Sequence, residues 1–166
     1  MKTCAILGRR ALVVAALGLW LGGLTLYALV AIPAAHEVLG SHTKVGFITQ
    51  KVTRGINLIA CLALAVLLAN AIADWSRGKR LLRLGETGSW VLMALSQAAL
   101  FVVHGRLDAL LDPVARQVID PARFYRTHEV YLIVTGVQWH AGLVYLACAL
   151  VAWRRADAAA PPDRTG

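Results

Sequence analysis

The chain has 166 residues, of which 58% are hydrophobic and 16% are charged. Soluble domains carry closer to a quarter charged residues, so this composition excludes an ordinary soluble globular protein. The net charge of +8 would suggest a nucleic-acid partner in a soluble chain. Here the basic residues cluster beside long apolar segments, as they do in membrane proteins. We therefore expect the lipid bilayer as a partner and no binding to nucleic acid.

Four long apolar runs dominate the sequence, over residues 11–35, 56–73, 90–103 and 130–153. A hydrocarbon core about 30 Å thick needs roughly 20 apolar residues in helical form. The runs predict an all-α, integral membrane four-helix bundle with one domain over residues 1–157 and a disordered tail over 158–166. The first run is longer than the apolar region of a signal peptide, so we expect an uncleaved first helix.

The placement of basic residues predicts the topology. Ten of them lie in short segments close to helix ends, where the positive-inside rule has most weight. They are Lys2, Arg9, Arg10, Arg77, Lys79, Arg80, Arg83, Arg154, Arg155 and Arg164. We expect both termini on the cytoplasmic side of a bacterial inner (plasma) membrane, with a multi-pass chain.

In chain order, the helices are predicted over residues 11–36, 42–75, 88–111 and 121–155. The second helix begins outside its apolar run, because Ser41 is a suitable N-cap and apolar residues recur at helical spacing after it. Asp-Pro occurs at 112–113 and again at 120–121, and Asp followed by Pro is a helix-start signal. The pairs predict a short interfacial helix over 113–119 and the start of the fourth helix at Pro121. Helices two to four would then extend past the bilayer as a small extracytoplasmic cap.

Polar residues on the fourth helix recur at spacings of 3 and 4 and define one stripe. The stripe contains His128, Tyr131, Thr135, Gln138, Gly142 and Tyr145. Hydrocarbon offers no hydrogen-bond partners, so the stripe should face the bundle interior. His140 is about 200° away from Gln138 around the helix, and it should meet either another neighbour or an oligomer contact.

On each of three helices, a histidine lies at the extracytoplasmic end of the face that should point into the bundle. These residues are His36, His104 and His128. Imidazole is the commonest ligand for zinc, copper and iron. Three converging histidines would leave one coordination position of a four-coordinate metal open. His42 and Glu37 are candidates for a further ligand. These residues predict a transition-metal site, or a haem between His104 and His128. A structural polar cap is the alternative.

Two further polar sets accompany the histidines. Gln50, Arg106, Asp108, Arg126 and Glu129 are candidates for a network in the cap. Thr25, Asn57, Gln97, Tyr131, Thr135 and Gln138 form a sparse polar core. Such a layer either makes interhelical hydrogen bonds worth about 0.6 kcal/mol each or lines a transport path. No nucleophile–base pair or phosphate-binding loop occurs in the sequence, so enzymatic activity is not expected, although metal-centred redox chemistry stays open.

Three stretches resemble a family of small four-helix membrane proteins of unknown function that includes transmembrane protein 205 and bacterial members. They are SHTKVGFITQKV at 41–52, RLDALLDP at 106–113 and FYRTH at 124–128. The resemblance implies a four-helix membrane bundle and marks His42, Gln50, Arg106 and His128 as the positions that carry the pattern. The segment before the last helix is shorter here than in the eukaryotic members.

Together these observations predict a small membrane protein that binds a transition metal or haem through outer-face histidines. One alternative is an accessory or structural subunit that associates with other membrane proteins or with itself. A small transporter is a further alternative, and it would need a continuous polar cavity that reaches Gln97 and Gln138.

Overall fold

A computed structural model of the chain describes residues 2–73 and 80–159. Four helices in it are long and apolar enough to cross a membrane. The first helix consists of α-helical segments Lys2–Leu17, Gly23–Leu26 and Ile32–Leu39, joined by π-helical segments Gly18–Gly22 and Tyr27–Ala31. The second, third and fourth helices span His42–Ala73, Arg80–Asp108 and Pro121–Ala158. The chain therefore has the all-α fold of a multi-pass membrane protein.

The helices are longer than the apolar runs that predicted them. The third helix begins at Arg80 rather than residue 88, because its first turns mix leucines with basic residues and so lie outside the apolar run. The second helix begins at His42, where the sequence placed it, but residues 74 and 75 of its predicted end lie outside the described residues. Most of the predicted tail, residues 160–166, lies outside them as well.

The second π-helical segment has a local cause in Pro33. Proline lacks an N–H, and its ring crowds the carbonyl four residues earlier, here that of Leu29. The Ile32 N–H donates to the Tyr27 carbonyl, five residues back, which is the hydrogen bond of a π turn. The first helix is therefore locally widened beside Tyr27, and this segment forms part of the cavity described below.

Caps at two helix starts agree with the sequence. Gly40 adopts the left-handed conformation (φ +56°) and turns the chain between the first and second helices, where the Ser41 hydroxyl accepts from the Lys44 N–H at 3.4 Å. The Asp120 carboxylate accepts from the Arg123 N–H at 3.0 Å, with Pro121 in the first helical position. The predicted start of the fourth helix is confirmed.

The prediction of a short helix over 113–119 is wrong. Leu111–Asp112 and Gln117–Val118 instead form two antiparallel strands, with Leu111 opposite Val118. The Asp112 carboxylate does accept from the next backbone amides, those of Val114 and Ala115, as an N-cap would. Arg116 then adopts φ +51°, which reverses the chain into a hairpin rather than continuing a helix. We call this end of the bundle the hairpin end and the opposite one the termini end.

The core is densest between the third and fourth helices, which pack along most of their length. The Cys148 side chain packs closely on Gly85, where an added Cβ would lie 2.7 Å from Cys148 Sγ. The first and fourth helices meet closely at Gly142, where an added Cβ would lie 3.0 Å from Leu21 Cδ1. Small residues thus allow the closest helix approaches, as in other membrane bundles.

A buried hydrogen-bond chain links three helices at the termini end. Arg9 Nη1 donates to Asn70 Oδ1 at 2.7 Å, and Asn70 Nδ2 donates to the Tyr145 hydroxyl at 3.1 Å. That hydroxyl donates in turn to the Leu67 carbonyl at 2.8 Å. The sequence predicted Asn70 in a network with Asp74 and Arg77, which lie outside the described residues, and it missed Arg9, which was considered only as a topology signal.

Candidate functional site: a cavity at the hairpin end

The structure separates the predicted metal ligands into two groups. The rings of His36 and His42 lie 4.6 Å apart between centroids, brought together by the turn at Gly40. His104 and His128 lie on the third and fourth helices, and both line one cavity. Within residues 2–73 and 80–159, no three histidine, cysteine or carboxylate side chains converge to hold a metal ion. The expected convergence of His36 with His104 and His128 is therefore not present, because His36 pairs with its neighbour across the turn.

Glu37, the other candidate ligand, is exposed. It is adjacent to His36 in sequence, but successive residues of a helix project about 100° apart and do not face the same partner. His128 stacks on Phe124, with 6.2 Å between ring centroids and an interplanar angle of 9°. His128 also lines the cavity described below.

Asp108 is the centre of the polar network at this end. Its carboxylate accepts from Gln50 Nε2 at 2.8 Å and from Arg54 Nη2 at 3.4 Å, which ties the third helix to the second. His104 Nε2 lies 3.6 Å from Asp108 Oδ2, too far for a hydrogen bond of normal length. Gln50 and Asp108 were predicted members of this network, and Arg54 was missed.

The other three predicted members, Arg106, Arg126 and Glu129, are exposed. Arg126 Nε donates to the Ala122 carbonyl of its own helix at 3.4 Å. These side chains lie on the surface of the hairpin end rather than within its polar network. Charged groups there remain solvated, so little stability depends on them.

A cavity of about 390 Å³ opens at the hairpin end among all four helices. Its volume is at the lower end of the range of about 300–1,000 Å³ that is usual for ligand pockets. The exposed area of its walls is mostly apolar. Its polar lining residues are Thr25, Tyr27, Thr49, Gln50, Thr53, His104, Asp108, His128, Tyr131 and Thr135. The combination of apolar walls and a few converging polar groups is typical of a small-molecule site.

Two buried polar atoms in this lining lack a hydrogen-bond partner within the part of the chain that the structure describes: the Tyr27 hydroxyl and His104 Nε2. The Tyr27 hydroxyl lies beside Thr49 without making a hydrogen bond of good geometry. Leaving such an atom unpaired away from water costs about 1–3 kcal/mol. The two atoms belong to residues on the first and third helices that line the same cavity.

Half of the predicted polar core lines this cavity, namely Thr25, Tyr131 and Thr135, whereas Asn57, Gln97 and Gln138 do not. Gln138 Nε2 donates to Gln97 Oε1 at 2.9 Å and to the Met93 carbonyl at 3.2 Å, and neither glutamine lines the cavity. Asn57 is buried beside Tyr131. The described lining therefore does not provide the polar path to Gln97 and Gln138 that a transporter would need.

Of the two threonines in the predicted polar core, Thr25 makes an interhelical hydrogen bond, whereas Thr135 bonds within its own helix. The Thr135 hydroxyl donates to the Tyr131 carbonyl one turn earlier at 2.8 Å. The Thr25 hydroxyl donates in the same way to the Leu21 carbonyl and accepts from Trp139 Nε1 at 3.1 Å. Thr25 thus provides a polar contact between the first and fourth helices beside the cavity.

Sequence reasoning missed Tyr27, Thr49 and Thr53 as lining residues. A signal for the second helix was present, since Gly46, Thr49, Gln50 and Thr53 recur at spacings of 3, 1 and 3 and so share one face. Tyr27 had no comparable signal, because the π turn changes its direction relative to regular helical phase. Comparison of the chain with protein-family models, with curated proteins and with solved structures finds no match.

Proposed function

We propose that this membrane protein binds a small amphiphilic molecule in the hairpin-end cavity. The observation that carries the proposal is the pair of buried, unpaired polar atoms, Tyr27 Oη and His104 Nε2, in the lining of a cavity whose exposed wall area is mostly apolar. Native proteins rarely leave such atoms without a partner, so each one calls for an explanation. A ligand head between them, with its apolar body against the walls, supplies the missing hydrogen bonds.

The chemistry of the two atoms describes the ligand's head. A tyrosine hydroxyl donates one hydrogen bond and accepts others, and Nε2 of a neutral histidine donates or accepts according to the tautomer. The head should therefore carry at least one acceptor for Tyr27 and a second polar atom for His104. Apolar walls bind the rest of the molecule by excluding water or lipid from it.

The test is to identify what co-purifies with the protein. The protein is extracted from membranes in mild detergent, and organic extracts are compared by mass spectrometry with those of the Tyr27→Phe/His104→Ala variant. We expect a compound in near-stoichiometric amount that is reduced about tenfold in the variant, since losing two hydrogen bonds costs roughly 1–3 kcal/mol. The His140→Ala variant is the control, because His140 is exposed and lies outside this cavity. Equal extracts from all three proteins would contradict the proposal.

A metal or haem is the second candidate, because His104 and His128 line the same cavity. Imidazole ligands on two helices suit either group. Metal analysis and an absorption spectrum, recorded for the protein and for the His104→Ala/His128→Ala variant, test this candidate. A stoichiometric metal or haem band that the variant loses would favour it over an organic ligand. A metal-free protein that still carries an organic compound would exclude it.

We also infer that both termini lie in the cytoplasm of a bacterial inner membrane and that the hairpin lies outside. Support comes from the basic residues at the termini end, among them Arg9, Arg10, Arg154 and Arg155. In a cysteine-free background, Val114→Cys should react in whole cells with a maleimide that cannot cross the membrane, since Val114 is 92% exposed. A variant that retains only the native Cys4 should react with the same maleimide only after the cells are opened. The reverse pattern would invert the topology.

Membership of the family that includes transmembrane protein 205 stays a prediction, supported by the three sequence stretches quoted above. The role of an accessory subunit is tested by the same purification. A membrane protein that co-purifies in fixed ratio, with no small molecule in the cavity, would favour that role.

A further inference from the structure

The first and fourth helices diverge toward the hairpin end. They touch closely at Leu21 and Gly142, and one turn further along they are joined by the hydrogen bond from Trp139 to Thr25. Further along, Leu29 of the first helix and Leu132 of the fourth helix both line the cavity. Beyond this point the end of the first helix packs on the second helix rather than on the fourth. A gap therefore separates the two helices along the wall of the cavity.

The rim of this gap is apolar and faces outward. Leu29 on the first helix is 72% exposed and Leu132 on the fourth helix is 55% exposed, and both line the cavity. Exposed leucines on membrane-spanning helices contact lipid chains rather than water. The opening is thus directed toward the hydrocarbon of the bilayer and not toward the aqueous phase.

From this geometry we infer that the cavity is filled sideways from the bilayer, between the first and fourth helices, by a single-chain lipid with an uncharged polar head. This inference rests on the proposed function and names the class of ligand. The lipid head lies between Tyr27 and His104, and its chain leaves through the gap beside Gly136. A cavity of about 390 Å³ suits one head and part of one chain rather than a complete two-chain phospholipid.

The charge of the cavity selects an uncharged head. Among the described residues that line it, Asp108 supplies the one carboxylate, and none is lysine or arginine. Arg54 approaches Asp108, but its side chain is 75% exposed and lies outside the lining. An anionic head next to Asp108 would be repelled in a medium of low dielectric constant. Carbonyl or hydroxyl heads, as in alkyl quinones and monoacylglycerols, match the two unpaired atoms without this penalty.

The experiment uses delipidated full-length protein reconstituted in lipid nanodiscs. Three single-chain probes are added to the bilayer: a decyl-substituted benzoquinone, a monoacylglycerol and a fatty acid of matched chain length. Bound probe is counted by native mass spectrometry. Quenching of tryptophan fluorescence by the quinone gives an independent readout. The quenching that is lost in Trp139→Phe is the part that arises from Trp139 in the cavity lining.

The decisive variant is Gly136→Leu, because Gly136 lines the cavity and an added Cβ there meets no atom within 4 Å. The matched control is Gly55→Leu, because Gly55 is exposed on the second helix, has open space around it and does not line the cavity. Both changes replace helical glycine by a better helix former, so any effect on helix propensity is shared. We expect an uncharged probe to bind the native protein saturably and about tenfold more weakly to Gly136→Leu, with Gly55→Leu unchanged.

Four outcomes overturn the inference. Equal binding to Gly136→Leu and Gly55→Leu would reject the sideways route. Stronger binding of the fatty acid than of the uncharged probes would reject the uncharged head. A water-soluble compound that co-purifies and depends on Tyr27 and His104, with no probe bound from the bilayer, would reject the lipid class while the proposed function stands. If the native protein binds none of the three probes and no compound co-purifies with it, both the lipid inference and the proposed function would be rejected.

Discussion

At the residue scale, polar side chains in the bundle interior act in pairs across helices. Gln138 shows this most clearly, because it is 2% exposed and donates to both Gln97 and a backbone carbonyl of the third helix. Its position in the polar stripe of the fourth helix was sufficient to predict that it faces inward. Its partner was not predictable, since the rotation of the third helix about its axis depends on packing rather than on local sequence.

We predict that Gln138→Leu and Gln97→Leu each lower the free energy of unfolding. A double-mutant cycle should give a coupling of about 0.6 kcal/mol, the average for interhelical hydrogen bonds in membranes. The measurement is reversible unfolding in mixed detergent micelles, followed by circular dichroism. Strictly additive effects of the two changes would show that the hydrogen bond is not a stabilising contact.

Tyr145 offers a second test at this scale. It is fully buried, and its hydroxyl accepts from Asn70 and donates to the Leu67 carbonyl. Tyr145→Phe removes a single oxygen and opens no large cavity, so the expected loss of about 1–2 kcal/mol arises from the hydrogen bonds alone. Tyr125→Phe is the control because Tyr125 is 57% exposed. A loss of equal size in both variants, measured by thermal melting, would contradict this explanation.

At the scale of elements, the third and fourth helices depend on a close approach at Gly85. We predict that Gly85→Ala costs about 1–3 kcal/mol, because its Cβ would lie 2.7 Å from Cys148 Sγ and force the helices apart. Gly88→Ala, with no atom within 4 Å of its Cβ, should be neutral or stabilising through helix propensity. Combining Gly85→Ala with Cys148→Ala should restore part of the loss, and thermal melting of the four proteins distinguishes these outcomes. Equal melting of Gly85→Ala and Gly88→Ala would mean that the approach is looser than described.

The hairpin shows why element boundaries were harder to predict than the elements. Asp112 and Asp120 carry the same signal, and both carboxylates accept backbone amides as predicted. Only Asp120 starts a helix, because the chain after Asp112 must return within a few residues to begin a helix antiparallel to the third. Pairing of Leu111 with Val118 and the left-handed Arg116 achieve this return. The strand pairing and the Arg116 conformation depend on contacts between residues several positions apart, which a local helix-start signal does not include.

At the scale of the whole molecule, ligand binding and stability should be linked. A ligand that binds only the folded bundle stabilises it by about 2.7 kcal/mol when its free concentration is a hundred times its dissociation constant. Delipidated protein should therefore melt at a lower temperature than protein as purified, and addition of the extracted compound should reverse the change. Tyr27→Phe/His104→Ala should respond to neither treatment. An identical response of this variant would place the stabilising lipid on the outer surface instead of in the cavity.

The sequence by itself determined the class, the number of spanning helices, the cap at Asp120 and the inward stripe of the fourth helix. These follow from composition, hydrophobic length and helical period, which are local properties. It could not determine that His36 pairs with His42 or that Tyr27 and His104 face the same cavity. The π turn before Pro33 shifts the first helix out of regular phase, and the last segment of that helix packs on the second helix. Only the tertiary structure decides such relations, because they depend on how helices far apart in sequence rotate and tilt against one another.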